Sequence, residues 1–250
     1  MDDLKSGNGT YLFASGAKYE GQWLNGKKYG FGKETYARDS NGDYYIGEFK
    51  DGEKNGNGKL VWQDGEVYEG EFVDGLRSGN GTQLYASGAK YKGRWLNDQL
   101  NGFGNYTYAS NNLFDYYIGE FKDGKSNGKG KEVSKSGEIY EGEFVDDLRS
   151  GNGTCLYASG GKYEGQWLNS KFNGFGKYTF ARDDNKGRDY AVGHWTYDKL
   201  DGKGELKWRN GTTYDGDWQN GYRHGFGTLF DSNGSITFKG QWENDEQKNL

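Results

Sequence analysis

The 250 residues contain no proline. A continuous sheet, whose inner strands all need their amide donors, accommodates that absence well. There is one cysteine, Cys155, so an internal disulfide is excluded. Its counterpart in a sister repeat is Gln83, which makes the thiol incidental. Histidine is nearly missing too. His194 and His224 lie in different repeats, which argues against a Ser/His/Asp or Cys/His catalytic set. No apolar run is long enough to cross a bilayer, and Met1 does not open a secretory leader. With a lone cysteine, the expected setting is cytoplasmic. Excess positive charge is also lacking. The net charge of −5 is spread along the chain, which disfavours a nucleic-acid partner and strong attachment to an acidic membrane. Hydrophobic residues make up only 32%, too few for an ordinary compact core.

What the chain has instead is glycine and aromatic rings. Aromatics reach 17%, which disordered chains do not. A repeating architecture, in which each unit buries rings against its neighbours, reconciles the two facts. The unit is plain at Tyr68-Glu69-Gly70-Glu71-Phe72, followed by a turn at Asp74-Gly75 and then Gly79-Asn80-Gly81. The opening aromatic recurs at Tyr19, Tyr45, Tyr68, Tyr91, Tyr117, Tyr140, Tyr163, Tyr214 and Phe238. One copy is degenerate and puts Ala191 in that slot. A longer period lies on top: Tyr19 to Tyr91 and Tyr91 to Tyr163 are both 72 residues. The expected division is a half unit over 1–18, triplets over 19–90, 91–162 and 163–237, and a terminal half unit over 238–250.

Alternation places Tyr68, Gly70 and Phe72 on one face of a strand and both glutamates on the other. The glycine leaves room for a neighbouring ring to lie over the backbone. Asn-Gly and Asp-Gly pairs supply the positive φ of tight hairpins. Twenty strands at the usual spacing predict a single twisted sheet roughly 95 Å long. The fold class expected is therefore an all-β, elongated, single-layer solenoid of antiparallel hairpins.

The pattern Y-x-G-x-[WF]-x-[ND]-G-x-x-x-G-x-G resembles the MORN repeat (membrane occupation and recognition nexus), in about ten copies over nearly the whole chain. The family often has His before the first glycine of G-x-G. Here only His224 matches, with Tyr29, Asn55, Ser78 and Asn101 at sister positions. The resemblance implies a non-enzymatic scaffold for protein–protein contact. It places radial spokes of cilia, cytoskeletal baskets, membrane junctions, phosphoinositide kinases and lysine methyltransferases among the contexts. The alternatives are a weak binder of phosphoinositides or acidic phospholipids, and the accessory repeat region of a larger enzyme.

Each triplet carries one longer unit, with loops after Tyr36, Tyr108 and Phe180. Just beyond them Ile46, Ile118 and Val192 replace a charged residue, and Tyr44, Tyr116 and Tyr190 share their face. This in-phase set, with Trp95, Phe103 and Trp167 as groove aromatics, is the candidate partner-binding surface. Lys122, Lys125, Lys129, Lys131 and Lys135 form the candidate lipid patch, diluted by Asp123 and Glu132. No cofactor and no metal site is expected. Asp39-Ser40-Asn41-Gly42-Asp43 has calcium-like spacing but lacks the distal bidentate glutamate. Gly52 to Lys59 looks like a phosphate loop, yet Leu60 stands where a magnesium-holding hydroxyl belongs. The chain opens in mid-unit and closes on a first strand with a charged tail. That predicts an unpaired edge at each end and an end-to-end homodimer through the terminal strands.

Overall fold

Alternation of period two, punctuated by turn pairs, dictates hairpins, and hairpins are what the chain forms. The computed structural model describes residues 5–37 and 42–248. Among these there are strands and turns and no helix. The first four residues and Asp39 to Asn41 of the calcium-like stretch lie outside the described residues. The chain divides into two units, residues 1–125 and 126–250.

In the first unit the strands are β1 (Gly7–Leu12), β2 (Lys18–Leu24), β3 (Lys27–Thr35), β4 (Tyr44–Lys50), β5 (Glu53–Val61), β6 (Val67–Val73), β7 (Leu76–Leu84), β8 (Lys90–Leu96), β9 (Gln99–Thr107) and β10 (Phe114–Lys122). Each pairs antiparallel with the next. The second unit repeats the pattern through β11 (Lys125–Ser134), β12 (Ile139–Val145), β13 (Leu148–Leu156), β14 (Lys162–Leu168), β15 (Lys171–Thr179), β16 (Arg188–Thr196), β17 (Lys199–Trp208), β18 (Thr213–Gln219), β19 (Tyr222–Phe230), β20 (Ile236–Glu243) and β21 (Glu246–Lys248). The last strand corrects the expected charged tail. After Trp242 the chain turns at Asn244–Asp245 and pairs Glu246, Gln247 and Lys248 back onto β20, with Lys248 bridging Glu243 and Glu246.

Glycine meets glycine at every strand-to-strand step of the first unit, from Gly9↔Gly21 and Gly21↔Gly32 to Gly104↔Gly119. The reason is steric. A Cβ on Gly70 would lie 2.5 Å from the Gly81 Cα and 2.6 Å from the Tyr68 hydroxyl. The covering ring is thus the strand's own tyrosine, folded back over the glycine pair, and not a neighbour's as expected. Tyr68 donates its hydroxyl proton to the Glu71 carbonyl at 3.0 Å, and the same bond recurs from Tyr19, Tyr45, Tyr91, Tyr117, Tyr140, Tyr163 and Tyr214. Most of these tyrosines meet two rings edge-on. Tyr68 contacts Phe72 at 5.1 Å and Trp95, from the next hairpin, at 5.3 Å. Such pairs add about 0.5–1.5 kcal/mol beyond burial. This ladder of rings is the core.

The first glycine of each G-x-G forms a bulge. Gly79 has φ 69°, and the β6–β7 register shifts between Gly70 and Phe72. Glu71 reaches round it to accept the Asn80 amide proton at 2.8 Å. Glu48, Glu143, Gln166 and Asp217 do the same in their repeats.

Hairpin turns hold both central residues at positive φ, as at Asn25 (50°) and Gly26 (77°). Some turns replace the glycine by Asp98, Asp147, Asp198 or Asp245. There the carboxylate accepts a backbone proton from the preceding repeat, from Arg77, Ser126, Phe172 or Arg223. The aspartate's own amide donates back to the same residue's carbonyl. Asp147 also accepts from the Ser126 hydroxyl at 3.0 Å. Asp147→Ala should therefore cost about 2 kcal/mol, since it removes hydrogen bonds to a charged acceptor and keeps the left-handed backbone. Asp147→Gly relieves the backbone and should cost less. Equal urea midpoints for wild type and both variants would show that the clasp contributes nothing.

The two longer loops that are fully described close by one bond each, Tyr108 N–H to the Asp115 carbonyl at 2.9 Å and Phe180 N–H to that of Asp189 at 2.8 Å. Tyr36 and Asp43 close the first loop the same way.

Candidate functional site

With rings on one face, the residues between them belong to the other. Two rows flank the glycines there. One runs through Lys33, Ile46, Lys59, Glu69, Thr82, Lys92, Asn105 and Ile118, partner to partner across the strands. The other contains Phe31 opposite Glu48, Asn57 opposite Glu71, and Phe103 opposite Glu120. Phe31 and Ile46 border a shallow trough floored by Gly47, Gly58 and Gly70. Phe103 borders another over Gly81, Gly93 and Gly104. Phe31, Phe103 and Phe175 are 59%, 62% and 55% exposed, so their rings are not spent on the core.

Tyr44, Ile46, Tyr116 and Ile118 fall on this face of the first unit, Tyr190 and Val192 on the corresponding face of the second, and all are half-buried. The Lys33 ammonium lies 4.7 Å from the Tyr44 ring centre, and Lys177 lies 4.3 Å from that of Tyr190. The Tyr190 hydroxyl donates to Glu205 at 2.6 Å; that bond, with burial behind it, pushes its pKa up to about 12. Trp95 and Trp167 sit on the opposite face, each 4% exposed. Their ring N–H groups donate to the Gly81 and Gly153 carbonyls, so both are members of the ladder. Of the named aromatics, Phe103 alone is presented to solvent. Its in-phase sisters Phe31 and Phe175 were legible in the three Gly-Phe-Gly triplets spaced 72 residues apart.

The lysine patch reads differently once register is known. Lys129 lies opposite Glu143 and Lys131 opposite Glu141. Lys122, Lys125 and Lys135 are exposed.

The ladder face carries cations that the sequence reading did not single out. Lys28, Lys54 and Arg77 hang over Tyr19, Tyr45 and Tyr68 at 5.6–5.7 Å, and Arg149 lies 4.8 Å from the Tyr140 ring centre. Burial lowers the Lys54 pKa. Arg149 bridges Glu132 at 2.8 Å and Glu138 at 2.7 Å. Burial raises the Glu132 pKa, against the opposing pull of Arg149. The signal was a basic residue recurring just after the hairpin turn. Cys155 is fully buried on this face, and burial pushes its thiol up to about 12, so it is not a nucleophile at neutral pH. Among the described residues no three His, Cys, Asp or Glu side chains are placed to hold a metal ion. Nor, among those residues, is any helix long and apolar enough to cross a membrane.

The degenerate copy leaves a mark on the ladder. Ala191 stands where the other hairpins place an aromatic ring, and a cavity of about 430 Å³ opens there, walled by Phe172, Trp195, Leu206, Trp208 and Trp218.

A family model described as the MORN repeat matches residues 1–18, 19–40, 45–67, 68–90, 91–113, 117–139, 140–162, 163–184, 192–213 and 214–236. The MORN repeat is a non-catalytic repeat module. Over 92 residues the chain is 32% identical to alsin of Homo sapiens and of Mus musculus. The alignment takes in 35% of this chain and 6% of alsin, so the chain spans a small part of those relatives. Among solved structures, the SAS-4 (dCPAP) TCP domain of Drosophila melanogaster, in complex with a proline-rich motif of Ana2 (dSTIL), aligns at 13% identity and a TM-score of 0.33. The alignment covers 75% of this chain and 85% of that one. The TCP10 domain of Danio rerio CPAP aligns at 11% identity and a TM-score of 0.26, covering 93% and 99%.

Proposed function

Since this chain belongs to the MORN repeat family, we propose that it is a non-catalytic scaffold that holds protein segments against the glycine-floored face. The observation that carries this reading is the trio Phe31, Phe103 and Phe175, each more than half exposed and in phase with Ile46, Ile118 and Val192. Rings left in water at regular intervals are a surface for contact, since aromatic anchors dominate binding energy at interfaces. The trough floor is bare backbone, because the side chains on this face stand only in the two flanking rows. Charged neighbours such as Lys33, Lys59 and Glu69 would set register and orientation. Cytoplasmic, cytoskeletal and ciliary assemblies are the settings to try first, on family resemblance.

The test uses the triple variant F31S/F103S/F175S. All three side chains are exposed, so its melting temperature should match that of the wild type within a few degrees. Cell extract is passed over both proteins, immobilised, and the retained proteins are quantified. At least a tenfold loss on the variant is expected. Identical retention would sink this face as the binding surface.

A further inference from the structure

We infer that the second unit carries a socket at Ala191 that takes an aromatic side chain flanked by acidic residues in a protein partner. The choice of a peptide as occupant rests on the scaffold reading above and deepens it.

The socket is a missing ring. In a complete hairpin, a Cβ on the second-strand glycine meets the tyrosine hydroxyl, as at Gly81, where the Tyr68 oxygen lies 2.3 Å away. At Gly204, the partner of Gly193 in the Ala191 hairpin, the nearest atoms are the Val192 carbonyl oxygen at 3.1 Å, Trp218 Cδ1 at 3.2 Å and Leu200 Cδ2 at 3.3 Å. No tyrosine hydroxyl is there; only the edge of the Trp218 indole and a Leu200 methyl border the place. The walls are already satisfied. Phe172 stacks on Tyr163 at 3.7 Å, and the indole N–H groups of Trp195 and Trp218 donate to the Gly176 and Gly204 carbonyls at 2.9 Å. What these side chains still offer is apolar surface. At about 430 Å³ the space falls within the usual range for ligand pockets, roughly 300–1,000 Å³.

The rim supplies the charge preference. Lys186, Arg188, Lys199 and Arg223 line the cavity with Asp198 and Asp245. Arg188 is held by Asp184, Arg223 by Asp245, and Asp198 pairs with Lys171. Lys186 and Lys199 form no ion pair among the described residues. Two uncommitted ammonium groups beside an apolar, ring-sized gap are complementary to a ring with carboxylates next to it.

The same geometry provides a plug. Tyrosine and a leucine wall coexist in a sister hairpin, where Tyr91 and Leu100 share β8 and β9 with Trp95 opposite Leu100. Ala191→Tyr should therefore restore the ladder, keep or raise the melting temperature, and close the socket.

Calorimetric titration with Ac-Asp-Asp-Tyr-Asp-Asp-amide, with the same peptide carrying Ala in place of Tyr, and with p-cresol tests this. The Tyr peptide should bind wild type at least tenfold more tightly than the Ala peptide. A191Y should lose at least tenfold. K186Q/K199Q should weaken the Tyr peptide about tenfold and leave p-cresol unchanged. Unaltered binding by A191Y, or no preference for the Tyr peptide, would overturn the socket. Binding of p-cresol as tight as that of the Tyr peptide would overturn the acidic-peptide assignment in favour of a small uncharged aromatic ligand. The F31S/F103S/F175S variant separates this idea from the scaffold reading. It should bind the Tyr peptide as wild type does; a loss there would move the ring to the exposed phenylalanines and overturn the socket. A wild type that ignores the peptide but still retains protein partners through those phenylalanines would overturn the socket and leave the scaffold standing.

Discussion

Replacing Gly70 with alanine is expected to destabilise the first unit by about 3 kcal/mol, the upper part of the range for overpacking. The added methyl would sit 2.5 Å from the Gly81 Cα. That neighbour is backbone and cannot rotate away. The other obstacle is the Tyr68 hydroxyl at 2.6 Å. Moving it would break its bond to the Glu71 carbonyl and disturb the edge-on contact with Trp95. The control is Gly65→Ala, at a turn with φ 91° and nothing within 4 Å of the new methyl. It carries only the left-handed penalty, about 1–2 kcal/mol. Urea unfolding of both variants gives the difference. Hydrogen exchange should show the G70A loss concentrated in β6, β7 and their neighbours, because repeats contact only adjacent repeats. Equal costs for the two variants would mean that the glycine row is not a packing requirement.

The second large effect is expected at Arg149. Among the described residues its guanidinium is the only cation bonded to Glu132, whose side chain is 11% exposed, and it also holds Glu138 and lies over Tyr140. Arg149→Met should cost about 3 kcal/mol, because it leaves a buried carboxylate uncompensated. The loss should depend on pH in a fixed direction. Burial already raises the Glu132 pKa in the folded protein, and removing the cation raises it further. A carboxyl with a raised folded pKa stabilises the fold when protonated, and that contribution fades as pH rises. The deficit of R149M against wild type should therefore be larger at pH 8 than at pH 5. A deficit that does not change between those values would remove Glu132 as its source. Arg77 occupies the same slot with a different outcome. Its partner Asp98 is 43% exposed, so the ion pair itself is worth about 0.2–1 kcal/mol. One repeat position thus carries very different energies, set by what the neighbouring repeat places beside it.

Much of this was legible in the residues. The Tyr-x-Gly-x-Trp/Phe alternation and the Asn-Gly turns give the strands, their pairing and the ring-bearing face, because each rests on local sterics. Within each unit, Tyr44 with Ile46, Tyr116 with Ile118 and Tyr190 with Val192 lie on the face away from the rings for the same reason: period two needs no knowledge of neighbours. Four things escaped. The ring over Gly70 belongs to Tyr68 itself, since side-chain rotamers do not show in a pattern of faces. Trp95 and Trp167 look like groove residues by type and prove to be ladder members, because a strand has two faces and composition does not say which is wet. Lys129 and Lys131 seemed a basic patch until register set Glu143 and Glu141 opposite them; cross-strand charge is invisible along a single strand. The short β21 was hidden behind its charges, which the Asn244–Asp245 turn folds back onto β20.

The glycine-to-glycine register also bears on how such a gene can change. The pairings from β1 to β10 and from β11 to β20 obey one rule, so a whole repeat copied or excised leaves the flanking strands still meeting glycine on glycine. The near-identity of YEGEFVDGLRSGNGT at Tyr68 and YEGEFVDDLRSGNGT at Tyr140 is what unequal recombination leaves behind. An array built this way can lengthen or shorten by slippage without refitting a core. The solvent-facing row of each copy is then free to diverge, as Glu69 and Ile46 already have at equivalent positions.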